Sequence, residues 1–354
     1  IGPDVPKAEE NLTLVKGSAE GDFSLSWTLD SKGMHGEALN TDDISYSVVR
    51  YPGAYKVADG IRETSLNDKV EVPDKYTIYY YVVTPMYNGN PGEEGTSNAV
   101  SLGYIVPPYN ENFDRKFGFD VFTVFNLNGG NTWSYSSHDD NPCASVRFEV
   151  SSAMDDWLIT PPMYLEANRT YHFSFKATGE GGMWVEQVRA CLGNAPAPQA
   201  MTTEVVPVTR LEYIKEYETL SGDVVPSESG IYYFGIHGVS SANQFNLNVD
   251  DISVVPGSTM GSPAAPQLSA VSDPQGEMIV TLSITAPDKT IGGEALTDIE
   301  KIELYRGKQL LETFDTPAPG LTLTFVDSKA LFGSITYSAK AYNSEGVGAT
   351  GTVE

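Results

Sequence analysis

Asp155-Asp156-Trp157-Leu158-Ile159-Thr160-Pro161 and Leu247-Asn248-Val249-Asp250-Asp251-Ile252-Ser253-Val254 are two apolar, strand-like runs that each carry a doubled aspartate. Aspartate is depleted in strands, because its side chain competes with the ladder and its charge resists burial. A doubled aspartate there, twice, needs a physical reason, and either a hard cation or a closed hydrogen-bond network supplies one. On a regular strand, neighbours point to opposite faces. Asp155, Trp157 and Ile159 then share one face, and Asp156, Leu158 and Thr160 the other. Only one carboxylate of each pair reaches a common site, unless a bulge intervenes.

The same period of two runs through the rest of the chain. Phe23, Leu25 and Trp27 alternate with serines, Val280, Leu282 and Ile284 with Thr281 and Ser283, and Tyr171, Phe173 and Phe175 with His172, Ser174 and Lys176. Helical periodicity with caps is hard to find. Short strands separated by Gly, Pro, Asn and Asp predict an all-β chain of sandwiches rather than parallel α/β sheets. At 354 residues the chain exceeds one ordinary core. Two breaks, Val106-Pro107-Pro108-Tyr109 and Pro256 through Gly257-Ser258-Thr259 to Pro263 and Pro266, read as linkers, since proline cannot donate to a ladder. They predict three modules, 1–105, 106–256 and 262–354.

The outer modules repeat each other. Gly36-Glu37-Ala38-Leu39 recurs as Gly293-Glu294-Ala295-Leu296, with Trp27 and Ile284 each ten residues before the glutamate. Tyr46-Ser47-Val48-Val49-Arg50 matches Ile302-Glu303-Leu304-Tyr305-Arg306, and Tyr87-Asn88-Gly89 matches Tyr342-Asn343. A proline-led first strand, Trp27 on the second, and the closing Tyr337-Ser338-Ala339-Lys340-Ala341-Tyr342-Asn343-Ser344-Glu345-Gly346 resemble fibronectin type III domains. The third module departs in having Ile284 where that family has its core tryptophan. The resemblance implies a seven-stranded sandwich serving as spacer or binding module.

In the central module the order of motifs is Glu111-Asn112-Phe113-Asp114, Phe122-Thr123-Val124, the loop Asn126-Leu127-Asn128-Gly129-Gly130-Asn131 up to Trp133, the first aspartate run, Tyr171 to Phe175, Tyr232 to His237, and Val249-Asp250-Asp251-Ile252. This series resembles the jelly-roll cleaved adhesin domains of Bacteroidetes surface proteins and gingipain-type proteases, which are MAM-like. The resemblance implies a secreted or outer-membrane cell-surface location. By motif position it also implies a structural Ca2+ held by Glu111, Asp155 and Asp251, with Asp156 and Asp250 as alternates. The family's early loop is often rich in aspartate; here it holds Asn126, Asn128 and Asn131, which offer oxygens without charge and weaken any ion held there. The competing reading is that the aspartates cap strand ends and bond loop amides.

Composition narrows the partners. There are 47 acidic and 22 basic residues, a formal net charge of −25, which disfavours nucleic acid and anionic membranes. No apolar run is long enough to span a membrane. Residue 1 is Ile rather than Met, which fits either a processed product that has lost a signal peptide or an excised segment, and says nothing about location. Cys143 and Cys191 each lie in a strand-like run and read as buried free thiols. The four histidines show no zinc spacing, and no Gly-x-Ser-x-Gly elbow or Arg-Gly-Asp occurs. Trp133, Trp157 and Trp184 with Tyr135 are candidates for a sugar-stacking surface, against the competing reading of each as a core residue; Trp184 stands out because Gly179-Glu180-Gly181-Gly182 precedes it. The expected function is non-catalytic adhesion: a jelly roll binding a glycan or an extracellular protein surface, presented by the outer modules in a monomer. The alternative is an accessory region of a larger secreted hydrolase.

Overall fold

The computed structural model describes residues 4–354 apart from 30, 180–182 and 212–215. Glu180, Gly181 and Gly182 of the glycine-rich stretch thus lie outside the described residues. The chain is built almost wholly of strands. Among the described residues no helix is long and apolar enough to cross a membrane.

The first module holds β1 (Glu10–Lys16), β2 (Asp22–Thr28), β3 (Ile44–Tyr51), β4 (Tyr55–Ile61), β5 (Ser65–Lys69) and β6 (Thr77–Tyr87). Three short strands complete it: β7 (Asn90–Pro91), β8 (Gly95–Thr96) and β9 (Val100–Leu102). A β1-β2-β5 sheet faces a sheet in which β4, β3 and β6 run in order and β7, β8 and β9 pair with β6. The predicted alternation is what closes it: Phe23, Leu25 and Trp27 face inward with Ile44, Tyr46, Val48, Tyr81 and Val83.

The central module holds β10 (Tyr109–Glu111), the short helix α1 (Lys116–Asp120), β11 (Thr123–Asn126), β12 (Ser134–His138), β13 (Asn141–Arg147) and β14 (Asp156–Ile159). After these come β15 (Met163–Leu165), β16 (Tyr171–Thr178), β17 (Glu186–Gly193), β18 (Thr203–Leu211), β19 (Glu218–Val224), β20 (Gly230–Gly238) and β21 (Asn246–Pro256). Its two sheets run β12-β13-β21-β16-β19 and β11-β14-β20-β17-β18. The eight strands β13, β14 and β16 to β21, ranked 1 to 8 in chain order, fall as 1-8-3-6 and 2-7-4-5, the jelly-roll arrangement. Phe173 and Phe234 stack between the sheets, with centroids 4.4 Å apart.

The third module holds β22 (Gln267–Ser272), β23 (Val280–Thr285), β24 (Lys301–Arg306), β25 (Gln309–Asp315), β26 (Thr322–Asp327), β27 (Tyr337–Asn343) and β28 (Gly346–Val353). Its sheets are β22-β23-β26 and β25-β24-β27-β28, the seven strands that the resemblance implies. Its core is formed by Leu282, Ile284, Ile302, Leu304, Tyr337 and Ala339.

The sequence repeat is a structural one. Lys32 bridges Ala38 as Lys289 bridges Ala295, and Pro6 bridges Gly33 as Pro263 bridges Thr290. Gly36 and Gly293 both carry the turn at positive φ, +89° and +88°. A second shared device was not visible in the sequence. Arg50 and Tyr81, cross-strand neighbours on β3 and β6, both donate to Asp68 Oδ2 at 2.5 and 2.7 Å. Arg306 and Tyr337 do the same to Asp327 Oδ2 at 2.8 and 2.9 Å. Each aspartate lies on one sheet and its two donors on the other, so the bonds clamp each sandwich shut.

By internal contacts the chain forms two compact units. One comprises Ile1–Leu165, Phe173–Gly222 and Gly230–Ser253; the other comprises Glu166–His172, Asp223–Ser229 and Val254–Glu354. The first two modules thus share one unit, and the break at Val106-Pro107-Pro108 is not the loose linker expected. Ile105 is buried, pairs in parallel with Met163, donates to the Pro162 carbonyl and accepts from the Tyr164 amide. Prolines fix φ, so the segment after Ile105 is stiff enough to hold that pairing. Tyr80 of β6 also stacks on Phe117 of α1, centroids 4.4 Å apart.

Candidate functional site

The first aspartate pair splits between the two faces of its sheet. Asp155 looks outward and binds His237 Nε2 at 2.7 Å. Arg189 Nε donates to His237 Nδ1 at 3.1 Å, so Nδ1 is the bare nitrogen and Nε2 carries the proton given to Asp155. The imidazole lies flat on Trp157, centroids 3.9 Å apart. Burial pushes the His237 pKa below its usual value, Asp155 pulls it back up, and Arg189 lowers it further. Trp157, Ile159, Cys191 and Met201 form a small core on this outer face. The arrangement is an orienting network around a buried neutral histidine, with the Asp155 carboxylate half exposed.

Asp156 points the other way, into the sandwich, and is 1% exposed. Burial pushes its pKa up to about 6. Thr132 beside it moderates the rise, yet Thr132 Oγ1 and Asp156 Oδ1 are both left without a full hydrogen bond. The Asp156 carbonyl accepts from Trp133 Nε1 at 3.0 Å.

The second pair is a bulge. Leu247 and Val249 face inward, and so do Ile252 and Val254, so the alternation slips by one residue across Asp250-Asp251. Asp251 takes up the slip at φ +47°, the left-handed region that Asp tolerates better than most residues. Asp250 Oδ1 accepts from the Asp251 amide at 2.7 Å and Oδ2 from Asn141 at 2.6 Å; Asp251 pairs with Lys176 at 2.7 Å. These carboxylates serve the bulge, in line with the hydrogen-bond reading of the sequence.

Glu111 and Asp251 line one hollow of about 410 Å3 with Asn110, Asn112, Ile252 and Ser253. Glu111 accepts from the Phe113 amide at 2.8 Å, and burial raises its pKa. Asp155 stands on the other sheet and is committed to His237. Among the described residues no three His, Cys, Asp or Glu side chains converge to hold a metal ion, so Glu111, Asp155 and Asp251 do not make one site, nor do the alternates Asp156 and Asp250 complete it. The reason for the mismatch is topological: β10 and β21 share one sheet, while β14 belongs to the other. Cys143 and Cys191 are buried free thiols, both raised in pKa by burial.

The aromatic candidates also part company, Trp157 being 3% exposed beneath His237. Trp133 is 3% exposed and belongs to the core, and Tyr135 is half-buried with its ring 6.5 Å from Phe119. Trp184 is 39% exposed and touches Phe245, centroids 5.6 Å apart; Phe245 stacks on Phe148 at 6.0 Å; and the Arg147 guanidinium lies 5.5 Å over Phe148. The strip is assembled from the end of β13 and the entries to β17 and β21. Its backbone is well held: Val185 N donates to Gln244 Oε1, Phe245 N to Glu186 Oε1, and Phe148 N to the Phe245 carbonyl. The loops around it bond to one another, with Asn243 N donating to the Glu149 carbonyl and Leu127 N to that of Asp155. They expose Met183, Val150 and Leu127 as well. Phe148, Phe245 and Arg147 were missed from the sequence. Their only local sign is an aromatic at a strand end beside a polar loop.

No family model matches this sequence, and no curated protein does. Among solved structures, the K3 cleaved adhesin domain of Lys-gingipain from Porphyromonas gingivalis is similar over 42% of this chain and 96% of its own, at 15% identity and a TM-score of 0.34. The CBM22-2 xylan-binding domain of Paenibacillus barcinonensis Xyn10C is similar over 42% of this chain and 99% of its own, at 15% identity and a TM-score of 0.29. The glycoside hydrolase domain of Endo-D from Streptococcus pneumoniae R6 is similar over 72% of this chain and 44% of its own, at 10% identity and a TM-score of 0.31.

Proposed function

We propose that the central jelly roll is a non-catalytic, extracellular carbohydrate-binding module and that the outer sandwiches are spacers that present it. The observation that carries this is the Trp184–Phe245–Phe148 strip, in which an exposed indole is backed by two further rings on a bonded loop framework. Aromatic faces suit the apolar faces of sugar rings, and a fixed ring loses little entropy on contact. Exposed apolar groups gathered at one end of a folded module mark an interaction site. Amide groups of Gln244 and Asn243 stand in the same loops, where a sugar hydroxyl needs a polar partner. The non-catalytic reading is favoured by the ties on the carboxylates described above: Asp155 is bonded to His237, Asp250 to Asn141, Asp251 to Lys176 and Glu111 to the Phe113 amide.

The test is a glycan array with the full chain, followed by calorimetry on the sugars retained. Trp184→Ala should weaken binding about tenfold or more while leaving the thermal midpoint unchanged, since the indole is partly in solvent. Undiminished affinity in that variant would move the site elsewhere. Turnover of a retained glycan would overturn the non-catalytic part.

A further inference from the structure

With 47 acidic residues to 22 basic ones, carboxylate partners for a cation are plentiful in this chain. Arg50, Arg169 and Arg306 each hold one, at 2.5, 2.8 and 2.8 Å. Arg147, at the strip, holds none. It is exposed at the last position of β13, and among the described residues its guanidinium pairs with no carboxylate and makes only the contact over Phe148. A guanidinium within cation–π reach of a ring face keeps N–H donors free for a further partner. A planar fork held in this way matches a carboxylate, which it binds through two parallel hydrogen bonds.

The geometry points to a carboxylate-bearing glycan as the ligand of this strip, its sugar rings on Trp184, Phe245 and Phe148 and its carboxylate on Arg147. This assignment rests on the carbohydrate reading above. Each ring lies 5.6 to 6.0 Å from the next, so the strip accommodates a short run of sugar units with the charge at one end. The formal charge of −25 sets a limit on the ligand. A densely charged polymer meets repulsion from the whole surface, whereas one carboxylate beside Arg147 lies within the roughly 8 Å over which charges act at physiological salt. The ligand class is therefore a largely neutral oligosaccharide carrying an isolated acidic sugar. A uronic acid and a sialic acid share this chemistry.

Matched pairs separate these sources and test the assignment: lactose against 3′-sialyllactose, and cellotetraose against a cellotetraose with one glucuronate unit, titrated by calorimetry into the full chain. The acidic member of at least one pair should bind about tenfold tighter, a difference of about 1.4 kcal/mol. The preference should shrink as salt is raised. Arg147→Gln should abolish it, bringing the acidic and neutral members to equal affinity, with an unaltered thermal midpoint as the folding control. Arg147→Lys keeps the charge without the fork and should retain only part of it. Equal binding of both members by the native chain, or a preference that survives Arg147→Gln, would overturn the assignment while leaving the carbohydrate reading in place. Failure to retain any glycan on the array would remove both.

Discussion

Asp327 of the third sandwich and Asp156 of the central one are both buried carboxylates on strands that face an opposite sheet, at 4% and 1% exposure. Asp327 meets a guanidinium and a phenol from that sheet, and Asp68 of the first sandwich meets the same pair of groups. Asp156 meets Thr132 and an oxygen left over. Burial is nearly equal, so partners decide the outcome. With two charge-assisted bonds a carboxylate ties two sheets together; without them it is a group that the fold tolerates at some cost.

Removing the clamp should have the largest effect. Asp327→Ala leaves Arg306 without its carboxylate in a mostly buried place, holding only the Lys329 carbonyl and Gln309, and should cost the third sandwich about 3 kcal/mol in urea unfolding. Asp68→Ala should act in the same direction but less, because Asp68 and Arg50 are somewhat more exposed. Equal and negligible losses would show that the clamp is ornamental and dissolve the contrast.

Asp156→Asn should do the reverse, raising stability by about 1–2 kcal/mol at pH 8 by removing a buried charge without a full set of bonds. The pH dependence follows from a folded pKa of about 6 against an ordinary 3.8. The native contribution is fully present below about pH 4 and is lost as pH rises through 6. The gain of the variant should therefore fade on acidification. A pH-independent difference would mean that Asp156 is not the titrating group.

A smaller effect of opposite sign belongs to His237, whose pKa is lowered on folding. Its contribution is present above about pH 6.5 and is lost as pH falls through the depressed value, because a second proton must enter where Arg189 points. Midpoints measured between pH 7.5 and 4.5 should fall less in His237→Gln than in the native chain. Identical slopes would sink the assignment of the neutral tautomer.

The period-two patterning and the repeat of Gly36-Glu37-Ala38-Leu39 were legible because they are local: a turn and the strands that flank it keep their spacing. The Arg50–Asp68–Tyr81 clamp was not, because Asp68 follows Arg50 by 18 positions while Asp327 follows Arg306 by 21. The loops between absorb the difference and hide the correspondence. Alternation placed Asp155 and Asp156 on opposite faces correctly. It could not tell which sheet each acid would join, so the expected set of Glu111, Asp155 and Asp251 mixed residues from both. The bulge at Asp250-Asp251 did leave a mark, the spacing of three between Val249 and Ile252. The aromatic strip left almost none, since its members come from three strands brought together only by the jelly-roll crossings.

That spacing gives the second aspartate a role independent of its charge. Asp251 is a phase marker: it is the one extra residue that lets both halves of β21 show their apolar side to the same core. Deleting it would turn Ile252 and Val254 out to water and bring Ser253 and Val255 in, with no change in composition beyond a single acid. Asparagine or glycine in its place would keep the count and the left-handed turn. What this position conserves is the reading frame of the strand, so here an omission is more damaging than a substitution.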